Sequence, residues 1–299
     1  MMTIDSILAD LDIIKKDSTL HHEKNFRLRL KAIDHIELHI IDRIDSLLKR
    51  GGPPGQMNVL RQHAEKVRRD LEDVDARMFD TLRTKISQED RKKEMLLQLI
   101  DEYVDQEAIP DQDDTGYTSL DIFLNGLLTR QSFPIETKVL EPEMVYFQKT
   151  PARTIFELVE KCRFTREDVF MDLGSGMGQV TILVNLLTGI KARGVEFEPA
   201  FCNYARGCAA ELNLSDVTFT QADAREADYS EGTVFFMFTP FHGEMLENVL
   251  RMLKKESLIR KIRIITLGPC TVQVSTQPWL NWLTPKHDDR YRLGMFSSG

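Results

Sequence analysis

Residues 169–187 read VFMDLGSGMGQVTILVNLL: a short apolar run, a glycine turn at Gly174, Gly176 and Gly178, then apolar residues at helical spacing. That order predicts a strand, a loop and a helix. Glycines in such a loop permit positive φ and let the backbone approach a ligand closely. Downstream, residues 192–197 (ARGVEF) predict a second strand ending in Glu196, and Pro199 opens a helix that runs to about Leu214. Residues 217–223 (VTFTQAD), 233–240 (TVFFMFTP) and 261–268 (KIRIITLG) predict three more strands, with a helix over 243–254. Residues 291–297 (YRLGMFS) predict a last, antiparallel strand, and Trp279 and Trp282 read as core near the closing edge of the sheet. Strands alternating with helices predict an α/β, doubly wound, mostly parallel sheet whose ligand lies at the carboxyl ends of the strands.

Two kinds of cofactor suit such a crevice. Dinucleotides favour G-x-G-x-x-G, in which the third glycine lets helix pack on strand and the helix N-terminus faces a pyrophosphate. Here Asp172 begins the turn and Gln179 stands where that third glycine would be. An acid at that point disfavours a pyrophosphate and suits a cofactor carrying an ammonium and a sulfonium cation, which counts against an NAD-dependent oxidoreductase. Glu196 lies twenty residues beyond Gly176, where a carboxylate accepts from ribose hydroxyls.

The segments VFMDLGSGMGQ, GVEFEP and TQAD resemble consecutive motifs of the class I S-adenosylmethionine-dependent methyltransferases, which have a Rossmann-like sheet. Together with the upstream EMVYFQKTPARTIFELVEKC they resemble the non-SET histone lysine methyltransferases of the disruptor-of-telomeric-silencing type and their bacterial look-alikes. The resemblance covers roughly residues 140–299. It implies S-adenosyl-L-methionine as cofactor and S-adenosyl-L-homocysteine as product. It also implies that Asp172, Gly174, Ser175, Gly176 and Gly178 line the methionine part, with Gln179 closing the turn. Glu196 would hold the ribose, Phe197 would lie beside the adenine, and Asp223 with Ala224 would read the adenine amino edge. Tyr146 and Thr150, with Lys149 near them, would cover the amino-acid end.

The acceptor is expected beyond the fourth strand, at Thr239, Pro240, Phe241 and His242, and Thr239, Phe241 and His242 are the candidate catalytic residues. The histone-modifying relatives carry Asn-Asn-Phe there. A hydroxyl orients a nitrogen less well than an amide and is no base, so Thr239 weakens the case for a lysine acceptor. His242 reads equally as a general base or as a surface residue at a helix start. No metal site is implied.

The first half is different. Residues 1–150 carry 22 basic and 29 acidic side chains, so −7 of the net charge of −8 lies there. Apolar residues at spacings of three and four predict helices over 22–50 and 56–86, broken by Gly51-Gly52-Pro53-Pro54-Gly55 and paired as a hairpin. Ser87-Gln88-Glu89-Asp90 predicts a capping box opening a third helix, which ends near Glu107. Residues 101–121 hold eight acids and no Lys or Arg, which predicts an exposed linker or lid. The organisation expected is an all-α domain over 1–118, a connector and cofactor-covering segment over 119–150, and the methyltransferase domain over 151–299.

The N-terminus does not read as a secretory leader, and no run approaches the roughly 18 apolar residues of a membrane span. The four cysteines fall in no CxxC pair, so reduced thiols and a cytoplasmic location are expected. The acidic balance and the lack of a basic tail make nucleic acid an unlikely partner. The function expected is methyl transfer to an acceptor left open, protein or small molecule, with self-association through the N-terminal helices as a further expectation. The alternative is a helical partner-binding protein retaining a catalytically weak cofactor fold.

Overall fold

The computed structural model describes residues 4–104, 118–128, 133–286 and 289–299. The chain divides into two compact units, residues 1–83 with 97–130, and residues 84–96 with 131–299. Among the described residues no helix is long and apolar enough to cross a membrane.

The helices of the first half are α1 (Ile4–Lys16), α2 (Phe26–His35), α3 (Asp42–Lys49), the long α4 (Pro54–Gln88), α5 (Lys92–Tyr103) and α6 (Ser119–Leu128), with the end of α4 and the start of α5 counted in the second unit. The expected 22–50 helix is thus composite, with a π-helical stretch at Ile36–Ile41 between α2 and α3. Its stripe nonetheless does what the spacing implies: Ile36, Ile40 and Ile44 are buried with Leu60, Ala64, Val67 and Leu71 of α4. The helix α1, which the sequence reading did not include, adds Ile7 and Leu11 to the same core. A second, aromatic cluster joins Phe26, Phe79 and Phe123, each pair of ring centroids 5.7 Å apart. Arg29 is fully buried there, with its Nε donating to Asp75 at 2.6 Å and the rest of the guanidinium donating to backbone carbonyls of Leu20, His22 and Glu23.

Two expectations change here. Ser87 does not cap α5, because α4 runs through Gln88 and the Ser87 hydroxyl donates back to the Thr84 carbonyl. Residues from 119, placed in a connector, instead form α6, whose start is closed by reciprocal bonds between Thr118 and the buried Asp121. Of the acidic segment expected as a lid, residues 105–117 lie outside the described residues.

The second unit holds α7 (Ala152–Cys162), β1 (Val169–Leu173), α8 (Gln179–Thr188), β2 (Lys191–Glu196), α9 (Pro199–Glu211), β3 (Val217–Gln221), β4 (Val234–Phe238), α10 (Gly243–Ser257), β5 (Arg263–Leu267), α11 (Cys270–Ser275), β6 (Leu280–Trp282) and β7 (Gly294–Ser298). The strands form one sheet in the order β3-β2-β1-β4-β5-β7-β6. The first five are parallel, and β7 is antiparallel to both β5 and β6. This is the doubly wound, mostly parallel sheet with an antiparallel last strand that the sequence predicts. Burial on both faces explains the unbroken apolar runs: Phe170 of β1 and Phe235 and Phe236 of β4 are almost wholly inaccessible. Trp282 packs on Phe296 at 4.4 Å, at the closing edge where it was expected. The order of strands reverses between β1 and β4, so the crevice for a ligand lies above their carboxyl ends.

Candidate functional site

The glycine turn joins β1 to α8 with positive φ at Gly174 (80°), Gly176 (53°) and Gly178 (83°). Their lack of side chains serves the protein's own packing. A Cβ on Gly174 would sit 2.4 Å from Pro240, one on Gly176 would sit 2.3 Å from the Phe147 ring, and one on Gly178 would meet Phe219 and Ala205. The glycines thus take the positive φ expected and also admit neighbouring residues.

Above this turn lies a pocket bounded by the ends of β1, β2 and β4 and by residues 136–150. It is lined by Asp172, Gly174, Ser175 and Gln179 of the first strand and turn, by Glu196, Phe197 and Ala224, by Thr239 and Phe241, and by Tyr146 and Thr150. Most of the expected site is thus assembled in one place. Gly176, Gly178, Asp223 and His242 do not line it.

Two carboxylates dominate the interior. Asp172 is only 3% exposed, and the Thr181 hydroxyl of α8 donates to it at 3.0 Å. Burial, with a smaller contribution from Glu196, pushes its carboxyl up to about 7. Glu196 accepts from the backbone N–H of Gly176 at 2.7 Å and of Glu198 at 2.8 Å, and burial raises its carboxyl against the pull of those bonds. Neither carboxylate forms an ion pair with a described residue. In the same pocket the Ser175 hydroxyl is buried without a protein partner. Buried acids held above their usual range, beside an unsatisfied hydroxyl, fit a ligand that brings cations and hydroxyl groups. They do not fit the pyrophosphate of a dinucleotide.

Asp223 is held elsewhere. Both its oxygens accept from the Arg225 guanidinium, at 3.0 and 2.6 Å, and that bond holds its carboxyl below the usual range. Arg225 also pairs with Glu141 at 2.8 Å. The residues of that strand end that line the pocket are Ala222 and Ala224, while the Asp223 side chain, expected to read the adenine edge, is engaged in an ion pair with Arg225.

The catalytic expectations at the end of β4 change more. Thr239 takes φ of 41°, uncommon and strained for a β-branched residue. Its buried hydroxyl donates to the Leu267 carbonyl at 2.9 Å and accepts from the Cys270 N–H at 3.2 Å. It ties the end of β4 to the turn after β5, with its one proton engaged there. His242 is the exposed N-cap residue of α10, and its side chain makes no cap bond. Phe241 is buried at 3% and does line the pocket.

Within the cofactor-covering segment expected over 119–150, residues 137–145 form a strap whose fastenings the sequence does not show. Glu198 caps α9 through the Ala200 N–H and accepts from the Thr137 hydroxyl and from the N–H groups of Thr137 and Lys138. Burial would raise its carboxyl, yet these bonds bring it down to about 2. Glu143 accepts from the N–H groups of Glu244 and Met245 at the start of α10, and the Val145 N–H donates to the Pro240 carbonyl at 3.0 Å. Phe147 then covers the glycine turn and packs on Phe201 at 5.4 Å. Tyr146 is 75% exposed on the rim, whereas Thr150 is buried.

A sequence-family profile described as "Histone methylation protein DOT1" matches residues 143–232. No curated protein matches the chain. Solved structures with partial likeness include an RNA methyltransferase from Salinibacter ruber in complex with S-adenosyl-L-homocysteine, at 23% identity and TM-score 0.41, covering 50% of this chain and 92% of that one. A SAM-dependent methyltransferase from Geobacter sulfurreducens, in complex with the same molecule, is 22% identical with TM-score 0.32, covering 46% and 52%. The precorrin-6y C5,15-methyltransferase from Geobacter metallireducens is 16% identical with TM-score 0.38, covering 52% and 93%. Over residues 143–232 the chain is thus similar to the histone-methylation type of class I methyltransferase, the likeness its glycine turn and strand-end acids imply.

Proposed function

We propose that this chain is an S-adenosylmethionine-dependent methyltransferase. The observation that carries the reading is the pair of buried carboxylates, Asp172 and Glu196, at the carboxyl ends of adjacent strands beside the reversal of strand order. Asp172 and Ser175 would hold the charged amino-acid end, Glu196 the ribose hydroxyls, and Phe197 with Ala224 the adenine. When bound, the cofactor supplies a methyl group activated by a sulfonium. The chain contributes alignment and exclusion of water, with Phe147, Thr150, Phe241 and Met245 among the residues lining the pocket.

Neither the Thr239 hydroxyl nor the His242 ring is positioned to take a proton in the pocket. The acceptor therefore has to arrive with a free lone pair, as a neutral nitrogen or another neutral nucleophile, and a protonated lysine side chain is disfavoured. Transfer of labelled methyl groups into a fractionated lysate, split into macromolecular and small-molecule pools, tests both parts of the reading. Label in neither pool would remove the transferase assignment, and label on lysine at a pH well below about 10, where the free amine is almost wholly protonated, would remove the acceptor assignment.

A further inference from the structure

The Lys138 ammonium lies over the ring of Phe197, 3.9 Å from its centroid. That is contact distance, so an aromatic base and this ammonium cannot share the same face of the ring. The backbone beneath is fastened, since the Glu198 carboxylate accepts from the N–H of Lys138 at 2.8 Å and from Thr137 at 2.9 and 2.7 Å. The clasp stays ionised at any working pH, because its carboxyl is held at about 2. The side chain, by contrast, is a flexible four-carbon stem. Asp223 offers a counter-charge on the same rim, since Lys138 is among the charges that hold its carboxyl down.

We propose that Lys138 sets the affinity of the pocket for adenine: with its backbone pinned by Glu198, its ammonium occupies the face of Phe197 and is exchanged for the base when the cofactor enters. This rests on the cofactor reading given above. Lys138 is a positioning residue that competes with the ligand, and Glu198 fixes the point from which it competes. A half-buried cation on an aromatic face is a weak contact, so its removal tightens binding only about two- to fivefold.

The test uses the full chain and S-adenosylhomocysteine as probe, in calorimetric titrations of the wild type, Lys138→Met and Lys138→Arg. The Met variant is expected to bind two- to fivefold more tightly and the Arg variant, which restores a cation over the ring, to bind as the wild type does. In protein labelled with 13C at lysine Cε, the Lys138 signal, assigned by its loss in Lys138→Met, is expected upfield through the ring current of Phe197. It returns to the ordinary lysine position as the probe saturates. Equal or weaker binding by Lys138→Met, or a signal that stays upfield in the saturated protein, overturns the proposal while leaving the cofactor reading standing. A wild type that binds neither S-adenosylhomocysteine nor S-adenosylmethionine overturns both.

Discussion

Replacing Asp172 by Asn separates the cost of this residue from its use. An amide oxygen can still accept from the Thr181 hydroxyl, which now donates to the carboxylate at 3.0 Å. The charge is what disappears. With the carboxyl at about 7 in the folded chain and near 3.9 when unfolded, the difference of about three units corresponds to up to about 4 kcal/mol. The sign follows from proton binding: between pH 4 and 7 the folded state holds a proton that the unfolded state has released. Wild-type stability therefore falls as pH rises through that window and is level above it. Asp172→Asn avoids the penalty, so without cofactor it is more stable than wild type at pH 8, by up to about 4 kcal/mol, and gains little at pH 4. Both tryptophans, Trp279 and Trp282, belong to the sheet unit, so denaturant unfolding followed by tryptophan fluorescence reports on this unit. The same substitution should weaken S-adenosylhomocysteine by about thirtyfold or more, since it removes a buried counter-charge worth at least about 2 kcal/mol. An equal loss of stability at both pH values would show that the carboxylate is only a structural group and refute the reasoning.

Three further outcomes follow from the geometry. Thr239→Val should cost about 1–3 kcal/mol by leaving the Cys270 N–H buried without its acceptor, while cofactor affinity of the folded protein, measured by calorimetry, stays unchanged; a tenfold loss of affinity would return Thr239 to the ligand site. Gly176→Ala places a methyl group 2.3 Å from the Phe147 ring at φ of 53° and should destabilise by roughly 2 kcal/mol or more, with part of the loss recovered in the double variant Gly176→Ala, Phe147→Ala. In the helical unit, Arg29→Ala should cost roughly 3–5 kcal/mol because Asp75 loses its buried partner, whereas Arg29→Met with Asp75→Leu should approach wild-type stability, both read by denaturant unfolding followed by far-ultraviolet circular dichroism of the helices.

The sheet was legible because its signals are local. The apolar runs at 169–173 and 234–238 end at turn residues, and Glu196 follows its glycine turn at a spacing set by one strand, one helix and the next strand. The helix α1 was legible in principle, since Ile4, Ile7, Leu11 and Ile14 fall at spacings of three and four. The fastenings of the strap were not: Glu198 meets Thr137 across 61 residues and Glu143 meets Glu244 across 101, and such pairings leave no periodicity behind. Thr239 shows a different limit. A hydroxyl at a strand end can face a substrate or a neighbouring carbonyl, and only the turn after β5, with Leu267 and Cys270 in reach, decides between them. Asp223 is similar, since the sequence shows an acid at a strand end while the structure shows Arg225 two residues later already holding it.

The central claim, a pocket built for a cationic adenosyl cofactor, is tested most directly by calorimetric titration of the full chain with S-adenosylhomocysteine and, separately, with NAD. Saturable one-to-one binding of S-adenosylhomocysteine, weakened about thirtyfold or more in Asp172→Asn, is expected, with no heat of binding for NAD. Binding of NAD, or no binding of S-adenosylhomocysteine to the wild-type chain, would contradict it.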